Sequence, residues 1–317
     1  MGGLEAFWRR REFSLALAVV VLILAVGMLR ADFLKPENLR DILLNASIPA
    51  VAACGMTVLI INAQIDISVG AVLAVCAVVI TILGGAGAPG PVLLLGAVAA
   101  GASLGAVNGW LTTYLKIPAI VATLATLGAI KGGLVMATHG ASTPAPAALT
   151  TFGNLNYLGL ASPVWSAALV CVLAALYLER TPAGRRHYAV GSNPRASELS
   201  GLPVQAITFR AFVLLGGLVG AAAFLHVARF TPVYPSPPKG FELEVITAVV
   251  VGGTDIFGGR GTIIGTVLAA LLLSTIGIAL TFVGSSFTAL RSEIQPAVQG
   301  LLILIAVLYN GLSRRGN

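Results

Sequence analysis

Two stretches of the chain place charged residues between apolar segments. "QIDISVGA" contains Asp66, and "VVVGGTDIFGGRGT" contains Asp255 and Arg260. An ionised side chain at the centre of a lipid-facing helix is disfavoured by roughly 2.5–3.5 kcal/mol. These groups therefore need protein or water around them, and the chemistry they offer is helix capping, ion pairing or contact with a polar solute.

The first stretch predicts a helix start. Asp66 or Ser68 can serve as an N-cap that accepts hydrogen bonds from amide groups otherwise unsatisfied inside a membrane. Small residues follow at once, including Gly70. We expect a break between two helices at residues 62–68.

The second stretch has the same design. Gly252 and Gly253 can end one helix, and Thr254 or Asp255 can cap the turn that follows. Arg260 is close enough in sequence to pair with Asp255. The glycines that allow the backbone to turn and restart are Gly258, Gly259, Gly261 and Gly265. Interrupted helices of this kind, placed near the membrane midplane, are typical of transport pathways. The alternative is that both breaks are ordinary interfacial loops that contain Asp, and in either case we expect them to face other protein.

Composition sets the environment of these breaks. The chain has 317 residues, of which 57% are hydrophobic and 10% charged, against about 25% charged residues in soluble domains. The apolar runs are continuous and lack the two-residue alternation of a membrane barrel. We predict an all-α polytopic membrane protein that forms a single transmembrane domain over residues 1–317.

We expect about eight to ten membrane-crossing helices, some of them short or broken near 62–68 and 252–261. Apolar runs long enough to cross the bilayer lie at 14–30, 91–115, 117–137, 162–179, 207–230, 262–283 and 294–310. Shorter runs lie at 48–62, 68–83 and 241–253.

Positive charge indicates the orientation. Most Lys and Arg residues lie at Arg9–Arg11, at 180–210 and at Arg314 and Arg315, and cytoplasmic segments carry such an excess. We therefore predict that both termini are cytoplasmic, and that the polar segment 138–161 and "TPVYPSPPKG" face outward.

Two motifs look like enzyme signatures, but neither has the spacing or the surrounding secondary structure that the signature requires. "GASLG" matches a nucleophile elbow by letters, but it lies inside a helix-length apolar run without the required strand. Gly101, Gly105 and Gly109 instead predict a small-residue face for close helix packing. "GGRGTIIG" has the wrong spacing for a dinucleotide loop, and no phosphate-loop motif occurs. We predict that the chain is not an enzyme and binds no cofactor.

The sequence also gives no support for nucleic-acid binding or for a metal site. The net charge of +7 is dispersed at the ends of apolar runs, which argues against nucleic acid. Three cysteines lie singly in apolar segments and predict small core residues. His139, His187 and His226 are isolated, so no metal site is expected.

The cytoplasmic segment 179–210 contains "SNPRASELSGL". The turn at Asn193 and Pro194 predicts a short amphipathic helix that ends at Gly201. Such a helix could dock a soluble partner, or the segment could be a solvated connecting loop.

The order of motifs resembles the sugar-type ABC importer permeases, the family that carries ribose, xylose, galactose, rhamnose or autoinducer-2. "TPAGRRHYAVGSNPRASELSGL" is similar to the family's T-x-x-G-R-x-x-Y-A-x-G-x-N-x-x-A-A-x-x-S-G-I loop. "QIDISVGA", "VNGWLTTYLKIPAIVATLATL" and "VVVGGTDIFGGRGTIIGT" match three further family motifs in the same order. The likeness spans roughly residues 35–310.

The resemblance implies a permease of the bacterial inner membrane that forms a homodimer or heterodimer with a second permease subunit. It implies two cytoplasmic ATPase subunits, which bind the ATP, and a periplasmic or lipid-anchored sugar-binding protein. Residues carried over to the loop that contacts the ATPase are Gly184, Arg185, Ala189, Gly191, Asn193, Ala196 and Gly201.

Two departures from the family pattern stand out. Ala63 and Gln64 occupy positions where the family often has two glycines, which can alter the pathway lining. Ser197 and Glu198 replace part of the Ala-Ala pair, a change we expect a partner-facing surface to tolerate.

The function predicted is ATP-driven import of a monosaccharide or similar small polyol. Neutral hydroxylated cargo suits a path with few charges, and Asn108, Thr123 and Thr126 are predicted to line it together with the two breaks. Two alternatives stay open. An ion-coupled secondary transporter would use carboxylates within its spans, for which Asp66 and Asp255 are candidates, and a membrane-embedded enzyme would need a nucleophile or a metal cluster.

Overall fold

The computed structural model describes residues 2–283 together with 297, 300–302 and 304. Within them the chain is almost entirely helical, as predicted. The expected run 294–310 lies largely outside the described residues, and so do Arg314 and Arg315.

Twelve α-helices follow one another along the described chain. They are α1 (Gly2–Leu29), α2 (Pro36–Ile61), α3 (Val69–Gly85), α4 (Gly90–Thr113), α5 (Ala119–Thr138), α6 (Ala147–Asn154), α7 (Ser162–Arg180), α8 (Pro182–Ser192), α9 (Pro194–Leu199), α10 (Val204–Arg229), α11 (Phe241–Val251) and α12 (Ile263–Val283). A short 3₁₀ helix (Ala31–Leu34) precedes α2, and the two-residue strands β1 (Asn156–Tyr157) and β2 (Leu160–Ala161) form an antiparallel pair.

Seven of the described helices are long and apolar enough to cross a membrane: α1, α2, α4, α5, α7, α10 and α12. The apolar helix α3 is shorter, at 17 residues, and α11 has 11. Large apolar side chains on α1, α5 and α7 are exposed, among them Leu24, Val121 and Leu173. An outer layer of this kind suits contact with lipid.

Helix α2 forms the centre of the bundle. It has 26 residues, and every residue from Ala46 to Ile61 is buried. The sequence analysis placed its apolar run at 48–62 and was wrong about its length. Polar residues in its first half obscured the start, although Pro36 occupies the first helical turn, where its missing N–H costs nothing.

Helices α4 and α10 approach each other closely, and the predicted small-residue face is confirmed. A Cβ added at Gly101 would overlap the carbonyl of Gly216, and one at Gly105 would overlap the carbonyl of Phe212. The reverse also holds, since a Cβ at Gly216 would strike the carbonyl of Gly101. Backbone approaches backbone here because neither helix carries a side chain at the contact.

The two segments predicted to face outward meet each other. Thr143 and Val233 exchange backbone hydrogen bonds of 3.0 and 2.8 Å. The segment 138–161 is more structured than expected, because it contains α6 and the β1–β2 pair. Trp165 donates its indole N–H to the carbonyl of Tyr157 at 3.0 Å and ties that pair to α7.

The α4–α10 contact yields a stability prediction. Gly101→Ala should lower the free energy of unfolding by about 1–3 kcal/mol, because the new methyl group forces the helices apart. Gly132→Ala, on α5 where an added Cβ meets no atom within 4 Å, is the control and should be neutral or slightly stabilising. Thermal unfolding of the purified variants in detergent measures both, and equal midpoints would contradict the packing argument.

Candidate functional site

Three separate segments meet where α2 ends. We use the term junction for residues 62–68, residues 252–262 and helix α8. The amide of Gly259 donates to the carbonyl of Ile61 at 2.9 Å, which joins the second break to the end of α2. Gly191 of α8 lies against the same carbonyl so closely that a Cβ there would overlap the oxygen.

The second break has the predicted local chemistry. Helix α11 ends at Val251, Gly252 forms the C-cap, and Gly253 has a positive φ of 103°. The carboxylate of Asp255 accepts from the amide of Phe257 at 3.0 Å, so the predicted turn cap is confirmed. The contact observed between Asp255 and Arg260 is a backbone bond of 3.0 Å from the Asp255 amide.

Glycines allow the close approaches around this break. Gly258 and Gly259 have φ values of 88° and 79°, which only glycine adopts readily. Gly252 and Gly265 lie back to back, so that a Cβ on Gly265 would overlap the carbonyl of Gly252. An added Cβ on Gly261 would lie 2.6 Å from the Thr254 hydroxyl.

The first break contains a buried polar network, in which only the side-chain oxygen of Asn108 has no hydrogen-bond partner among the described residues. One carboxylate oxygen of Asp66 accepts from the amide of Ser68 at 2.7 Å and from its hydroxyl at 2.6 Å. Asn108 on α4 donates to the other oxygen at 2.9 Å and to the Ser68 hydroxyl at 2.8 Å. Ser68 is the N-cap of α3 by position, but its side chain bonds to Asp66 and caps no helix amide.

Most of the predicted lining residues thus converge. Thr123 joins the network by accepting from the amide of Ile67 at 3.2 Å. Asp66, Ser68, Asn108 and Thr123 are all at most 2% exposed. Thr126 lies one turn further along α5 and bonds to the carbonyl of Thr123, while Gly70 lies against Glu242 of α11. Their role as pathway lining stays a prediction.

Both breaks lie beside α8. Residues 62–68 follow a helix of 26 residues, about 39 Å long at 1.5 Å per residue, and Asn62 contacts His187 of α8, which is not one of the candidate spanning helices. Glu12 of α1 accepts from the hydroxyl of Thr262 at 2.9 Å, so the start of α1 lies at this end too. The depth of the breaks in the membrane stays a prediction.

The loop between α7 and α10 folds into two capped helices. Thr181 caps α8 by accepting from the amide of Gly184 at 3.0 Å, and Pro182 follows at the first helical position. Asn193 caps α9 by accepting from the amide of Ala196 at 3.0 Å. The predicted short helix is confirmed, and Gly201 follows its end with a φ of 81°.

These two helices have a buried and an exposed face. Gly184 and Gly191 are buried, and Gly184 packs against the carbonyls at the end of α7. The remaining predicted loop residues are exposed: Arg185, Ala189, Asn193, Ala196 and Gly201. The exposed set is free to contact another protein while the buried glycines hold α8 on the junction.

His187 is the functional candidate that the sequence analysis missed. Its Nδ1 lies 2.9 Å from the side-chain nitrogen of Asn62, and its Nε2 lies 3.1 Å from the hydroxyl of Tyr177. The imidazole therefore ties α8 to both α2 and α7. Nothing local signals this bridge, because Asn62 lies 125 positions away in the chain. Burial, and to a lesser extent Arg210, lowers the pKa of His187 to about 4.

Comparison with known proteins identifies the family. The sequence model described as "Branched-chain amino acid transport system / permease component" matches residues 38–307. The chain belongs to this family of permease components. The resemblance to ABC importer permeases seen in the sequence is thereby confirmed.

Curated relatives in the family cover nearly the whole chain. The ribose import permease protein of Escherichia coli K12 is 35% identical over 308 residues, 95% of this chain and 94% of the relative. That of Bacillus subtilis 168 is 34% identical over 92% of this chain and 90% of the relative. The autoinducer 2 import system permease protein of Salmonella typhi is 31% identical over 98% of this chain and 88% of the relative. No solved structure matches the chain.

The family departure at Ala63 has a structural consequence. Ala63 directly follows the C-cap of α2 with a φ of 56°, a left-handed conformation that costs an L-residue roughly 1–2 kcal/mol. A glycine in the family pattern removes that cost.

Ala63→Gly should therefore raise the free energy of unfolding by up to about 1 kcal/mol, since the gain is offset in part by greater chain entropy in the unfolded state. Ala141→Gly, in an exposed loop at ordinary φ, is the control and should not stabilise. Thermal unfolding in detergent measures the difference, and a lower midpoint for Ala63→Gly would contradict the strain.

His187 predicts a pH dependence of stability. The folded pKa of about 4 is below the unfolded value of 6.5, so the unfolded state binds the proton more readily. The stability that neutral His187 contributes to the folded state is fully present above pH 6.5. It is lost as the pH falls towards 4, by up to about 1.4 kcal/mol per pH unit. His187→Gln should lose stability at pH 7.5 but depend less on pH between 6.5 and 5. An unchanged pH slope in this variant would contradict the assignment.

Proposed function

We propose that this chain is the transmembrane permease subunit of an ATP-driven importer that carries a monosaccharide or similar small polyol across the bacterial inner membrane. The names of its relatives support a ribose- or autoinducer-2-like cargo, since two are ribose import permeases and one serves autoinducer 2 import. A rhamnose-like cargo is a further candidate that rests on the sequence resemblance alone. The observation that carries the proposal is that helix α8 packs directly against both breaks.

Helix α8 would transmit movement from a separate ATPase. Its exposed face, with Arg185 and Arg186, continues into α9, where Leu199 is 76% exposed. An exposed leucine beside arginines suits a protein partner. Because Gly191 and His187 hold the opposite face on the junction, a push on α8 would move the end of α2 and the second break together.

The proposed energy source and partners are those that the family membership implies. ATP is bound and hydrolysed by two cytoplasmic ATPase subunits, so the chain itself is not an enzyme and needs no cofactor. A second permease subunit completes the membrane part, and a periplasmic or lipid-anchored binding protein delivers the solute. The chain acts as one transmembrane domain.

The orientation places both termini in the cytoplasm. The contact between Glu12 and Thr262 supports this for the N-terminus, because it lies at the end of the bundle that carries α8. The bond between Thr143 and Val233 supports an outer side on which 138–161 and 230–240 meet.

Proteoliposome uptake tests the proposal. The chain, with its ATPase and binding protein, should accumulate labelled D-ribose or a related sugar only when ATP is present. Uptake without the ATPase, driven by a pH gradient, would overturn it and favour an ion-coupled transporter.

Gly191→Ala should uncouple solute uptake from ATP hydrolysis. The added methyl group displaces α8 from the carbonyl of Ile61, so we expect at least a tenfold loss of solute taken up per ATP hydrolysed, with hydrolysis itself retained. Arg185→Gln, on the exposed face, should lower the same ratio by weakening the partner contact. Gly128→Ala, where an added Cβ meets no atom within 4 Å, is the matched control. Full uptake by both test variants would remove α8 from the coupling path.

A further inference from the structure

A cavity of about 490 Å³ lies between α2, α10, α11 and α12, away from the junction. Its polar lining residues come from all four helices and are Asn45, His226, Arg229, Glu244, Ser274 and Thr281. Asn45 and Pro49 lie 12 to 16 residues before Ile61, which places the cavity roughly 18–24 Å from the junction along α2. No residue predicted from the sequence to line the pathway lies in it.

Two charged side chains in this cavity have unused hydrogen-bonding capacity. The Nη1 atom of Arg229 is buried without a hydrogen-bond partner. Among the described residues, the ion pairs Asp32–Lys35 and Arg195–Glu198 include neither Arg229 nor Glu244. Asp41 acts on Arg229 electrostatically but lies beyond ion-pair distance. A buried donor of this kind is costly to leave unpaired, so the site is built for a group that arrives from outside.

The backbone of α2 adds a further acceptor. Pro49 lies inside the helix and has no N–H, so the carbonyl of Asn45 lacks its normal helical partner. Asn45 and Pro49 both line the cavity. The side-chain nitrogen of Asn45 donates to the carbonyl of Asp41 at 2.8 Å, which leaves its side-chain oxygen available as an acceptor.

Aromatic rings cover part of the wall. Phe230 packs against His226 with ring centroids 4.8 Å apart, and the guanidinium of Arg229 lies 5.0 Å from the centre of the same ring. Phe241 also lines the cavity. A flat apolar face beside charged donors and acceptors matches a sugar, whose ring C–H groups lie on aromatics while its hydroxyls bond to polar groups.

We propose that this cavity holds the cargo during transport, and that it takes a neutral polyhydroxylated solute whose hydroxyls bond to Arg229 and Glu244. This inference rests on the proposed function and deepens it by naming the site and the groups that recognise the solute. Arg229 donates and Glu244 accepts, so adjacent hydroxyls satisfy both without any charge on the solute. The volume suits a single monosaccharide with its waters.

The cavity also connects to the junction through rigid elements. Helix α11 begins with Phe241 and Glu244 in the cavity and ends at Gly252 in the second break. Helix α2 runs from Asn45 to Ile61 in the same way. A movement of α8 would therefore reach the solute through two continuous helices.

Protection from alkylation tests the site without any ATPase. The full chain with Thr281→Cys, reconstituted in liposomes, is treated with N-ethylmaleimide in the presence and absence of D-ribose, D-xylose or L-rhamnose. The native cysteines Cys54, Cys76 and Cys171 are all buried, which keeps the background low. At least one sugar should slow alkylation of Thr281→Cys. It should not slow that of Ser166→Cys, which lines a separate, mostly apolar cavity of about 370 Å³.

Charge-removing variants then identify the recognition groups. Added to Thr281→Cys, Arg229→Gln or Glu244→Gln should raise the sugar concentration needed for protection by about 10- to 100-fold, the range for losing a hydrogen bond to a charged group. Arg40→Gln and Glu37→Gln make the same changes at exposed positions of α2 outside the cavity and should have no effect.

Several outcomes would overturn the inference. These are no protection by any of the three sugars, equal protection at Ser166→Cys, and protection that the Arg229 and Glu244 variants leave unchanged. Protection by leucine in place of the sugars would assign the two charges to a zwitterion and refute the polyol. Sugar protection without ATP-driven uptake by the complete assembly would refute the proposed importer and leave the binding site standing.

Discussion

The carbonyl of Ile61 is the contact on which the rest of the structure depends. It is the last carbonyl of α2, and it accepts a hydrogen bond from Gly259 while Gly191 lies directly against it. Inside a membrane protein an interrupted helix must satisfy its freed backbone groups with other protein groups. Three distant segments meet at this carbonyl, and two of them need glycine there. A Cβ on Gly191 would overlap the Ile61 oxygen, whereas Gly259 has a φ of 79° and a Cβ on it would strike Ser192.

The same need for hydrogen-bond partners applies to the polar side chains inside the helical bundle. Asp66 is tolerated because Ser68 and Asn108 satisfy its oxygens. In the cavity, the Nη1 atom of Arg229 is buried without a hydrogen-bond partner, and neither Arg229 nor Glu244 belongs to an ion pair among the described residues. The side-chain oxygens of Asn62 at the junction and of Asn108 beside it are also buried without a partner, so it is the combination of an unpaired charged donor with open space that points to a bound solute. Helices α2 and α11 join the two regions as rigid rods.

Much of the fold could be predicted because a helix that crosses the bilayer must be apolar over the thickness of the lipid. Apolar runs of bilayer length gave the positions of α4, α5, α7, α10 and α12 to within a few residues. The start of α2 was missed, since Arg40, Asp41 and Asn45 make its first half look like a loop. Arg40 and Asp41 are exposed near the start of α2, and the continuous buried part of this helix begins only at Ala46. One helix therefore combines a polar first half with an apolar second half.

The sequence by itself determined the class of protein, the two breaks, the short helix α9 and the family, because each depends on composition or on short stretches of neighbouring residues. Only the tertiary structure decided that His187 bridges Asn62 and Tyr177, that Gly191 meets Ile61, and that Arg229 and Glu244 share a cavity. The members of each pair belong to different parts of the helical bundle. Their contacts depend on how whole helices pack, and packing is a property of all the helices together that no single segment encodes.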